Sequence, residues 1–84
     1  MTTIKTNPSV YTLTLVSTQN ERFTGEGCFG VYSSYYNARA TFASILKNFN
    51  ESIEDYESIP TGRRYYTNQG TWELEKFQID ELVL

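Results

Sequence analysis

Only one stretch of this 84-residue chain carries a helical period, and segments alternating at period two flank it on both sides. Tyr35, Ala38, Phe42, Ile45, Leu46 and Phe49 follow one another at spacings of 3, 4, 3, 1 and 3, a single stripe on a 3.6-residue helix. Ser33-Ser34 places a hydroxyl where the free N–H groups of a first turn need an acceptor. Lys47 near the other end suits the helix dipole. The spacing predicts a helix from about Tyr35 to Asn48 that frays at Asn50, with Arg39, Lys47 and Asn48 on its wet side. A lone amphipathic helix must bury its apolar stripe on something, and here only a sheet is on offer.

The strands read as follows. Val10 to Ser17 alternates bulky and small polar residues, with Tyr11, Leu13 and Leu15 on one face. Gln19 to Arg22 is a polar turn, and Gly25 and Gly27 mark a bulge or loop. Cys28 to Tyr32 is a second strand whose near-continuous apolar character points to a central position. Glu51 to Ser58 carries four acids among two apolar side chains and reads as an ordered loop or one loose helical turn closed by Ile59-Pro60. Arg63 to Thr67 is a third strand, and Asn68-Gln69-Gly70 a turn with a positive φ at Gly70. Thr71 to Glu81 is the last strand. Trp72 and Leu74 lie on one parity of it and Phe77 and Ile79 on the other, a phase slip near Lys76 that implies a bulge or a strand covered on different faces at its two ends. The expectation is α+β: a four-stranded, mainly antiparallel sheet with one helix on a face, in the order β-β-α-β-β. Residues 1–9 form a flexible arm and 10–84 the single domain, with a parallel pairing through the helical crossover left open.

Gly30-Val31-Tyr32-Ser33-Ser34, with Ala38 four residues on, resembles the strand-to-helix junction of a group of uncharacterised bacterial and phage domains. Those domains open on a strand similar to Val10-Tyr11-Thr12-Leu13 and close on one similar to Trp72 to Asp80. The resemblance covers roughly residues 10–81, implies a compact β-β-α-β-β unit, and carries no known activity. The acidic stretch at 51–59 departs from it, since such domains have a shorter connection there.

The residue inventory narrows the chemistry. Histidine is absent, which removes the commonest general acid–base near neutral pH. Cys28 is the only cysteine, so neither an intramolecular disulfide nor a cysteine zinc cluster can form, and a reducing cytoplasm is the expected compartment. Cys28 lies in an apolar run with no histidine to activate it and reads as a buried structural thiol. No apolar run approaches the roughly 20 residues that span a bilayer, and Met1 to Pro8 does not read as a secretory signal. The net charge of −3 argues against direct nucleic-acid binding. It is also polarised, at +2 over residues 1–50 and −5 over 51–84. No cofactor, metal or catalytic group is assigned.

Three groups of residues are candidates for contact with a partner or ligand. Arg63-Arg64-Tyr65-Tyr66 joins guanidinium forks, which grip carboxylate or phosphate at two points, to rigid rings with polar tips. On a strand Arg63 and Tyr65 point one way, Arg64 and Tyr66 the other. The dull alternative has one tyrosine in the core and the arginines paired with Glu73 or Glu75. Glu54, Asp55 and Glu57 form an acidic stretch around Tyr56, an aromatic that is costly to expose unless something packs on it. Tyr36, beside the helix stripe, is the third.

Thirteen aromatic side chains of roughly 150–250 Å² each exceed what one helix on a thin sheet can hide. Displayed rings and arginines are typical binding anchors. The first functional expectation is a non-enzymatic interaction module that occupies a larger host protein, as a phage or mobile-element accessory protein inhibiting or modulating a host factor, defence proteins included. The second is capture of a small anionic ligand such as a nucleotide by the Arg/Tyr patch, between two protomers. A homodimer through sheet edges or the Leu82-Val83-Leu84 tail belongs to the same expectation.

Overall fold

The structure, a computed structural model, describes residues 8–23 and 25–78. Six elements follow in order: β1 Ser9–Thr18, β2 Gly27–Tyr32, α1 Tyr35–Asn48, β3 Ile53–Ile59, β4 Gly62–Thr67 and β5 Gly70–Gln78. All five strands join one sheet in the order β2-β1-β5-β4-β3, and every neighbouring pair is antiparallel. The α+β class stands; the four-stranded β-β-α-β-β order does not, and no parallel pair forms among the described residues.

The extra strand is the acidic stretch read as a loop. Its acids obscure the β pattern, yet Ile53 and Tyr56 lie opposite Thr67 and Tyr65, with the slip between Ile53 and Asp55 taking up Glu54. Ile59 faces Gly62 across a two-residue turn. Pro60 fixes the first corner of that turn. An acidic outermost strand also discourages other chains from pairing with it. β2 corrects a second expectation: it is the opposite edge, not a central strand, and Cys28 on it is exposed rather than buried.

Two further corrections concern bulges and glycines. The irregularity opposite β5 lies in β1 between Leu15 and Ser17, where Val16 swings out, and not near Lys76. Phe77 keeps strict alternation, opposite Val10 on the face away from the helix. Gly70 has no positive φ; it lies in β5, where a side chain would strike the Ser17 carbonyl. β1 begins at Ser9, which the expected arm had included; residues 1–7 lie outside the described residues. Ile79 to Leu84, including the apolar tail, lie outside the described residues.

The helix matches its expected bounds. Ser34 is extended and its Oγ accepts from the Asn37 N–H at 3.1 Å. At the other end Asn50 takes a left-handed φ of 56° instead of fraying. The Glu51 N–H then reaches the Leu46 carbonyl at 2.8 Å and the Asn50 N–H reaches Lys47 at 3.3 Å, the two bonds of a Schellman cap. This cap sends the chain back toward the sheet.

Ala38, Phe42 and Leu46 of α1 pack on Leu13 and Leu15 of β1, Trp72 and Leu74 of β5 and Tyr65 of β4. Phe42 is fully buried, its ring 5.4 Å from that of Trp72 and 5.1 Å from that of Tyr65. Behind this layer sits Glu51, buried after the helix cap. It accepts from the Thr67 hydroxyl at 2.8 Å, Asn20 Nδ2 at 3.1 Å and the Trp72 indole at 3.4 Å. The β1–β2 connection, the end of β4 and β5 are thereby tied to one carboxylate, which is how a buried acid avoids its desolvation cost.

Candidate functional site

Strand parity separates the Arg/Tyr cluster into two sites on opposite faces. Register sets Glu57, Arg64 and Glu73 side by side across β3, β4 and β5 on the face away from the helix. Arg64 donates from Nε to Glu73 at 2.7 Å and from its terminal nitrogen to Glu57 at 2.9 Å. The Tyr66 hydroxyl also donates to Glu57. That hydroxyl, and then Arg64, hold the Glu57 carboxyl below the usual carboxylate range. The Arg64 guanidinium is pushed up in turn, chiefly by Glu73. Asp55 lies opposite Tyr66 on this face, and Glu75 accepts from the Thr61 hydroxyl. The expected pairing of an arginine with Glu73 is therefore found, for Arg64.

The other parity faces the helix side, where a cleft of about 380 Å³ is lined by Tyr11, Tyr35, Gly62, Arg63, Leu74 and Lys76. Its floor is Leu74, opposite Arg63 in register, and its wall is Tyr35 at the start of α1. Tyr35 meets the Tyr11 ring edge-on, with 6.0 Å between centroids. The Lys76 ammonium lies 6.0 Å from the Tyr11 ring centre, and the Arg63 guanidinium 4.7 Å from that of Tyr56. Arg39 stacks over both Phe42 and Tyr65, at 5.6 and 5.5 Å, so it is half-buried rather than on a wet face. Burial pushes the Tyr65 phenol up; the neighbouring Tyr35 adds to this, while Arg39 and Arg63 oppose it. Among the described residues, the ion pairs are those of Arg64 alone.

The candidate residues are thus divided. Arg63, Tyr56 and Tyr65 come together on the helix side; Arg64, Tyr66 and Glu57 come together on the open face. Tyr36 is 79% exposed in the first helical turn, Tyr56 57% exposed and Tyr35 48%. Glu54 is exposed at the slip in β3, and neither it nor Asp55 joins the cleft. Reasoning from sequence missed Tyr11, Tyr35, Arg39 and Lys76 as site residues. Tyr35 and Arg39 stand four apart on the helix, and Lys76 shares the parity of Trp72 and Leu74, so both signals were present once the helix-facing parity was known.

No helix among the described residues is long and apolar enough to cross a membrane. Comparison with family models, with curated proteins and with solved structures finds no match.

Proposed function

We propose that this chain is a non-enzymatic binding module whose working surface is the helix-side half of the sheet toward β3. One observation carries the reading. Tyr35 and Tyr56 are displayed there beside Arg63, Arg39 and Lys76, while Asp55, Glu57, Glu73 and Glu75 lie on the opposite face. Large rings with polar tips and arginines make effective anchors because they add contact area at low conformational cost. A cationic, ring-rich face favours a larger partner protein that presents acidic groups.

The resemblance of the strand-to-helix junction to phage and bacterial domains supports an accessory role, in which a phage or mobile element uses the module to inhibit or modulate a host protein, including one of a defence system. Affinity capture from host lysate tests the module itself. The wild type and an Asp55→Lys variant recover the same partner, whereas a Tyr35→Ala/Arg63→Glu double variant does not. Equal recovery by the double variant, or loss with Asp55→Lys alone, contradicts the placement of the surface.

A further inference from the structure

We propose that the cleft between the start of α1 and the β4–β5 hairpin binds a small phosphate monoester carrying a flat ring, the chemistry of a nucleoside monophosphate. This assignment goes beyond docking to a partner protein and stands without it.

Size is the first argument. About 380 Å³ falls in the range of small-ligand sites, roughly 300–1,000 Å³. Charge is the second. Arg63 and Lys76 both line the cleft and no lining residue is acidic. Arg63 lies opposite Leu74, so Lys76, two residues further along β5, is its diagonal neighbour on the same face. Diagonal neighbours stand roughly 7–8 Å apart at their bases, a separation that one phosphate can bridge between two long side chains. The guanidinium offers a two-point fork to phosphate oxygens and the ammonium a mobile point charge. The Lys76 backbone is itself pinned by its N–H to the Thr61 carbonyl at 2.7 Å, so the cation rises from a fixed strand.

The rest of the lining asks for a ring. Leu74 and the edge-on pair of Tyr11 and Tyr35 form an apolar shelf beside the two cations. A long polyanion is disfavoured, because the chain carries a net charge of −3 and Asp55, Glu57, Glu73 and Glu75 lie on the reverse side of the same sheet. One phosphate is accommodated; a strand of them is repelled.

Calorimetric titration of the whole chain at low salt tests this with adenosine monophosphate, ribose 5-phosphate, inorganic phosphate and adenosine. Adenosine monophosphate binds most tightly, the two phosphates that lack a base more weakly, and adenosine weakest. Arg63→Ala and Lys76→Ala each weaken the monophosphate by about tenfold or more, as loss of a charge-assisted contact requires, while Asp55→Asn leaves it unchanged. Both cations are exposed, so these variants fold; matching circular dichroism of each variant confirms it. Absence of heat with the monophosphate overturns the proposal. So does adenosine binding as well as its phosphate, ribose 5-phosphate matching the nucleotide, or wild-type affinity in the Arg63 and Lys76 variants. Because no partner protein enters this experiment, its failure is separate from a failure of lysate capture.

Discussion

Arg63 and Arg64 are neighbours in the chain and opposites in the fold. Arg64 is held between Glu57 and Glu73, with Tyr66 completing the cluster. Arg63, one residue earlier and on the other face, lies over the Tyr56 ring and lines an open cleft. The same side chain is a structural clasp in one position and, in the other, the proposed anion receptor. What decides is parity: acids alternate with Tyr56 along β3, and with Trp72 and Leu74 along β5, so the carboxylates of these strands collect on one face and Tyr56, Tyr65 and Trp72 on the other. A helix laid on the ring-bearing face then turns the cations there into the wall and rim of a cleft.

The largest way to break this contrast is to remove what makes the faces different. Phe42→Ala empties the contact between α1 and the Trp72–Tyr65 layer and costs about 3–5 kcal/mol, read as a lower urea midpoint. The two arginines come next. Arg64→Ala lowers the thermal midpoint by several degrees, because it leaves Glu73 and Glu57 facing one another unpaired; Arg63→Ala lowers it less, through loss of its stack on Tyr56 alone. Equal effects in the two variants would show that parity does not separate their roles.

Acid sharpens the comparison further. Glu57 titrates lower in the folded chain than in the unfolded one, so its contribution is complete above the unfolded carboxylate value near 4.3 and is lost as pH falls through the folded value. Denaturation followed from pH 7 to pH 2 shows this loss in the wild type and a smaller one in Tyr66→Phe, which lacks the leading donor to Glu57. Tyr65 works in the opposite direction. Its phenol titrates higher when folded, so that stability is complete below the unfolded value near 10 and is lost as pH rises through the folded value. The smallest effect is at Tyr56→Ala, where loss of the Arg63 stack costs about 0.5–1 kcal/mol.

How far the sequence carried varies with how local each feature is. The helix was legible to the residue because its stripe, its Ser34 cap and the break after Asn48 all lie within one short window. β3 was not, because Glu54, Asp55 and Glu57 hide the alternation of Ile53 and Tyr56, and the slip at Glu54 shifts its phase. Cys28 and β2 were misplaced for a different reason. An apolar strand reads as central, but only pairing across the chain shows that β1 takes β5 as its other neighbour and leaves β2 outside. The site was legible as a cluster at residues 63–66 and in the opposed parities within it. Which parity would face the helix depends on Trp72 and Leu74 being the buried pair of β5, a tertiary fact, so Lys76 and Tyr11 stayed out of view.

Amide chemical shifts of the labelled chain during titration with adenosine monophosphate report on both faces at once. The account predicts movement at Tyr35, Gly62, Arg63 and Lys76, with Asp55, Glu57 and Glu73 still. Shifts centred on those three acidic residues, or a spectrum that does not move at all, would contradict it.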